Sequence, residues 1–124
     1  MFKVNDDLNI ACTRGDAATF SVAANVNDTP YVFRAGDEVR FTVVEKKAYF
    51  RIVLQKSVTV AEDTEQVEIT LTGEETKIGE TISKPVDYWY EVELNPETNP
   101  QTIIGYDENG AKLFTLYPES EVSA

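Results

Sequence analysis

Apolar and polar residues alternate with a period of two along most of this chain, the spacing that turns one row of side chains to a core and the other to water. Leu8, Ile10 and Cys12 form the first such row. Thr13-Arg14-Gly15-Asp16 follows as a turn, with Gly15 free to take a positive φ, and Ala18, Phe20 and Val22 carry a second strand. Asn25 to Pro30 is loop by its turn-forming composition. Tyr31, Val32 and Phe33 make a brief extended piece, Ala35-Gly36-Asp37 a turn, and Val39, Phe41 and Val43 a third strand opposite Arg40 and Thr42. A further strand is expected from Ala48 to Gln55, continued or followed by Val58 and Val60. The acidic run Glu62 to Glu65 then connects it to Val67, Ile69 and Leu71.

The clearest strand runs from Val86 to Leu94. Val86, Tyr88, Tyr90, Val92 and Leu94 share its apolar face, which leaves Trp89 among Asp87, Glu91 and Glu93 on the other. A tryptophan so placed packs under a loop or against a partner, and Trp89 is the candidate partner contact. One short helical turn is expected over Thr72 to Gly79, where Thr72 and Glu75 have capping-box spacing and Gly79 suits a helix end. Near the C-terminus, Ile103, Ile104 and Tyr106 lead to a hairpin turned at Asp107-Glu108-Asn109-Gly110, with Leu113 to Tyr117 as its return strand. Residues 118–124 read as a polar tail. The count is seven or eight strands, no amphipathic helix, no βαβ rhythm and no repeat. The fold expected is all-β, an antiparallel β-sandwich or barrel forming one domain over 1–124, with its ordered core at about 8–117.

Composition narrows the chemistry. The chain has 124 residues and is 42% apolar, enough for a core without a disulfide or metal. Cys12 is its single cysteine, expected to be buried as a small hydrophobe. There is no histidine, which removes Ser-His-Asp triads, Cys-His pairs and the usual zinc sites. No enzymatic activity, metal or cofactor is expected. With 22 acidic against 11 basic residues the net charge is −11. Such a surface repels phosphate backbones and anionic headgroups, so neither nucleic acid nor membrane is an expected partner. No run reaches the ~18 apolar residues of a membrane span, and Met1 to Asp7 lacks the apolar centre of a signal peptide. A protein made and folded in a cytoplasm is the expectation.

Three motifs invite sharper readings. Arg14-Gly15-Asp16 spells an integrin-binding tripeptide, but Gly and Asp belong in a tight turn for backbone reasons, and the turn is preferred. The acidic groups Glu62 to Glu65, Glu74-Glu75 and Glu91 to Glu93 raise glycosidase or calcium chemistry. Glycoside cleavage needs two carboxylates about 5 to 9 Å apart across a cleft, and calcium needs converging oxygens at fixed offsets. Spacing establishes neither, so solvated faces and turns are preferred. Tyr88, Trp89, Tyr90, Tyr106, Phe114 and Tyr117 crowd the C-terminal third. Tyr88 and Tyr90 belong to the core by their strand face; an exposed Trp89 would suit either a sugar or a protein partner.

The order of these motifs adds one more observation. Thr13-Arg14-Gly15-Asp16 opens the strand Ala18 to Val22, and Leu71-Thr72-Gly73-Glu74-Glu75-Thr76-Lys77 precedes Tyr88-Trp89-Tyr90-Glu91-Val92-Glu93-Leu94 and a final hairpin. Read together, over about Leu8 to Tyr117, they resemble the N-terminal domain of phage baseplate upper proteins and related small phage structural proteins. The resemblance implies an immunoglobulin-like sandwich that connects parts of a virion, in tail, baseplate or a head-attached appendage. It implies virion proteins and copies of itself as partners, and no catalytic residues. Family members are often longer and continue into a fibre or receptor-binding region, and the two prolines of Asn95 to Gln101 depart from the pattern. A carbohydrate-binding module using exposed aromatics, with a host surface glycan as ligand, is the alternative.

Overall fold

The computed structural model describes residues 1–26, 28–48, 51–108 and 110–119. Its strands are β1 (Phe2–Val4), β2 (Ile10–Thr13), β3 (Ala18–Val22), β4 (Asn25–Val26), β5 (Thr29–Pro30) and β6 (Glu38–Glu45). They continue with β7 (Ile52–Thr59), β8 (Val67–Leu71), β9 (Val86–Leu94), β10 (Gln101–Ile104) and β11 (Lys112–Tyr117). The protein is all-β. Among the described residues there is no helix, hence none long and apolar enough to cross a membrane.

A seven-stranded sheet has the order β1-β2-β11-β9-β6-β7, with β10 also paired to β9. A two-stranded ribbon, β3-β8, and the small β4-β5 hairpin complete the set. The inward row of the ribbon meets the inward row of the large sheet. Phe20 of β3 stacks on Phe2 at 5.4 Å and meets the edge of Phe41 at 5.3 Å between ring centroids. Phe41 also faces Tyr90 and Phe114. The buried cluster collects Ile10 and Cys12 of β2, Val39, Phe41 and Val43 of β6, Val67, Ile69 and Leu71 of β8, Tyr90, Val92 and Leu94 of β9, and Phe114 and Leu116 of β11. Alternation put those rows where they are, because a strand turns successive side chains to opposite faces.

Pairing departs from expectation in three places. The large sheet is mixed, because β11 runs parallel to β2, with Phe114 beside Ile10 and Leu116 beside Cys12. The expected hairpin between Ile103–Tyr106 and Leu113–Tyr117 is absent: β10 and β11 both run antiparallel to β9, β10 on its C-terminal half and β11 on its N-terminal half. They are one interrupted strand, and residues 105–108 and 110–111 loop out between them. Backbone bonds between Asp107 and Gly110 close that loop's tip, while Asn109 of the expected turn lies outside the described residues. Finally, Leu8 does not begin a strand. It has φ 72° in the turn between β1 and β2, so the sheet begins before the expected core does.

Smaller corrections follow the same logic. Tyr31 to Phe33 contributes a single bridge, Phe33 to Thr64, rather than a strand. The strand expected over Ala48 to Gln55 is shifted to Ile52–Thr59, and its Tyr49 and Phe50 lie outside the described residues, as does the end of the tail from Ser120. No helix is formed over Thr72 to Gly79; the chain there makes hydrogen-bonded turns, with the Thr76 N–H on the Thr72 carbonyl at 3.2 Å, the Lys77 N–H on the Glu74 carbonyl at 3.2 Å and the Ile78 N–H on the Thr76 carbonyl at 2.8 Å.

Cys12 is fully buried, and burial, with Asp16 adding, pushes its thiol up from 9.0 to about 11. The thiolate is the reactive form. Ellman's reagent at neutral pH should therefore label Cys12 only as fast as the protein unfolds. The raised value also has a sign: the folded state keeps a proton that the unfolded state releases, so stability should fall as pH rises from about 9 toward 11. Cys12→Ala should remove that part of the decline in urea unfolding followed against pH.

Candidate functional site

The two halves of the sequence pattern meet in space. Gly15 takes φ +90° in the turn after β2, and the Asp16 N–H closes that turn on the Thr13 carbonyl at 3.0 Å. Thr76, fully buried in the 72–79 turn, clasps it from the other side. Its hydroxyl accepts the Gly15 N–H at 3.0 Å and donates to the Asp16 carbonyl at 2.9 Å. Gly73 lies so close that a Cβ there would stand 2.7 Å from the Gly15 carbonyl oxygen. Arg14 reaches across the same turn to the Ile78 and Gly79 carbonyls at 3.2 and 2.7 Å, and pairs with Glu119. Its guanidinium is committed inside the fold, so the tripeptide works here as a turn. The capping-box bonds are both made: Glu75 accepts the Thr72 N–H at 2.8 Å, and Thr72 Oγ1 accepts the Glu75 N–H at 3.2 Å. That backbone bond and the Lys56 ammonium hold the Glu75 carboxyl below its usual range, despite some burial.

A cleft of about 220 Å³ opens on the outer face of the large sheet, the face turned away from the β3-β8 ribbon, between β6, β9 and the 105–111 loop. Val44, Trp89, Glu91, Tyr106 and Ala111 line it, with Tyr90. Its base follows from register. Trp89 lies directly between Val44 of β6 and Leu113 of β11, and Val44 is next to Ile52 of β7. The residue that sequence placed among acids therefore belongs to an apolar row four strands wide. It is half-buried, on a cleft that Tyr106 and Ala111 of the loop between β10 and β11 also line. Tyr106 stands on that loop and is 79% exposed. Lys112 fastens the loop from below, its ammonium donating to Asp107 at 2.7 Å.

Glu91, two residues along β9, shares the face of Trp89. Burial, and then the nearby Glu93 charge, push its carboxyl above its usual range. Glu93 lies beside Arg40 in register, but Arg40 pairs with Glu38 and Glu97. Of the expected core aromatics, Tyr90 is buried and Tyr88 half-buried. Among the described residues no three acidic or cysteine side chains converge as a metal site. Sequence reasoning singled out Trp89 and missed its companions Val44 and Leu113, which only strand pairing assembles, and Ala111 of the loop before β11. No protein-family model, curated protein or solved structure matches the chain.

Proposed function

We propose that this chain is a non-enzymatic structural protein of a bacteriophage particle, an immunoglobulin-like β-sandwich acting as an assembly or adaptor module of tail, baseplate or a head-attached appendage. It is made in the host bacterial cytoplasm, joins other virion proteins and copies of itself, and is found in the virion. The observation that supports the reading is the clasp: the Thr13–Asp16 turn and the Leu71–Lys77 segment, on which the resemblance rests, dock through Thr76, and Arg14 reaches the Ile78 carbonyl just beyond. The two segments belong to one scaffold, and their polar groups are taken up in building it. The sandwich reading is supported by the β3-β8 ribbon, whose inward residues pack on the large sheet. Strand β7, eight residues long, ends the strand order of the large sheet, and among the described residues its outer edge is left to a partner chain.

A second reading, a carbohydrate-binding module, is favoured by one observation, the aromatic pair Trp89 and Tyr106 on the outer cleft. Trp89→Ala separates the two. For an assembly module, the variant should stay folded and lose at least about tenfold in self-association or in binding to its virion neighbours, as aromatic anchors at interfaces do. Sedimentation velocity and a glycan-binding screen on both proteins check this. A variant of unchanged mass that loses measurable glycan affinity would overturn the assembly reading in favour of the sugar. Portal, capsid or tail genes beside the coding sequence would support assembly, and polysaccharide-enzyme genes would count against it.

A further inference from the structure

We infer that the outer cleft is a socket for a cationic side chain, an arginine presented by the partner protein, seated between Trp89, Tyr106 and Glu91. This rests on the assembly reading and names the chemistry of the contact. Three observations converge on a cation. Trp89 and Tyr106 both line one cleft, and the negative face of an aromatic ring attracts a guanidinium laid over it. Glu91 stands on the same rim as a carboxylate with no cation beside it: the charge acting on it is a second carboxylate, Glu93, and among the described residues it forms no ion pair. The chain carries a net charge of −11, so a basic partner surface is drawn toward it before contact.

Arginine fits better than lysine or a neutral sugar. Its planar fork stacks on a ring while its edge donates two parallel bonds to a carboxylate, which a compact ammonium cannot do. A neutral sugar would satisfy the aromatic side chains but would leave the carboxylate charge uncompensated in a half-buried place. The apolar row beneath, Val44, Trp89 and Leu113, has no hydrogen-bonding demand of its own beyond the indole N–H, so it suits the stem of a long side chain.

Trp89 is the chain's one tryptophan, so its fluorescence reports on this cleft alone. Titration of the full chain with N-acetyl-arginine amide should give a saturable change in emission, and N-acetyl-lysine amide a weaker one. Glu91→Gln, which keeps the shape of the side chain, should weaken arginine binding about fivefold or more, with an unchanged melting temperature. Tyr106→Ala, at an exposed position, should weaken it less, about two- to fivefold. A saturable response to cellobiose or N-acetylglucosamine with none to arginine amide would overturn the inference, and the assembly reading with it. No saturable response to any probe, with the Trp89→Ala loss of association still seen by sedimentation, would overturn the socket alone. A Glu91→Gln variant that binds arginine amide like the parent would do the same.

Discussion

Phe41→Ala should cost about 3 to 5 kcal/mol of folding stability, the largest effect of any single substitution considered. Phe41 is fully buried at the middle of β6, a strand paired on both edges, with β7 on one side and β9 on the other. Its ring meets Phe20, Tyr90 and Phe114 at centroid distances of 5.3, 5.4 and 6.1 Å. Truncation loses the transfer free energy of the ring and leaves a cavity that three aromatic neighbours on three different strands cannot close together. Against a total stability of about 5 to 15 kcal/mol, such a loss brings the protein close to unfolding. Urea unfolding should show a lowered midpoint with an unchanged slope. Should the alanine variant fail to fold, Phe41→Leu gives the same ordering at smaller cost. Phe20→Ala, at a half-buried site on the ribbon, should cost clearly less than Phe41→Ala. Equal or reversed costs would mean that the inner face of β6 has been misassigned.

Thr76→Val should cost about 2 to 4 kcal/mol although it conserves volume. The side chain is fully buried, and the valine is the same shape without the hydroxyl. The Gly15 N–H would lose its acceptor and the Asp16 carbonyl its donor, and a buried polar group left unpaired costs about 1 to 3 kcal/mol. Thr76→Ser keeps the hydroxyl, loses one methyl, and should cost only about 1 kcal/mol. Gly73→Ala acts on the same joint from the other side, since its Cβ would meet the Gly15 carbonyl oxygen at 2.7 Å. Because both variants open one joint, their effects should not add; the double variant should fall short of the sum. A Thr76→Val variant as stable as the parent, or strict additivity with Gly73→Ala, would show that the two turns are not coupled.

The rows of the core were legible in the sequence, and so were several strand limits. Ala18–Val22, Val67–Leu71 and Val86–Leu94 stand where alternation placed them, and Cys12 is buried as expected. Period-two patterning reports which side of a strand faces the core, because that depends only on successive side chains. It carries nothing about which strand lies at either edge. Edges are joined by backbone N–H and C=O groups that every residue but proline presents alike. The antiparallel hairpin expected at the C-terminus was therefore open to replacement by a strand interrupted along β9, and β11 was free to pair in parallel with β2.

The same reason explains the misplaced elements and the cleft. Thr72 and Glu75 make the capping-box bonds that their spacing announced, yet no helix follows. A helix needs several turns to offset its nucleation cost, and here the chain is spent within one turn on clasping Gly15 and Asp16. Trp89 read as a tryptophan among acids because its neighbours in sequence are Tyr88, Tyr90 and, on its own face, Asp87 and Glu91. Its neighbours in the sheet are Val44 and Leu113, 45 and 24 positions away. The chain alone determined the faces of the strands and the residues able to do chemistry. Register alone decided which of them stand together, since a cross-strand neighbour is set by backbone pairing over distances that no local pattern spans.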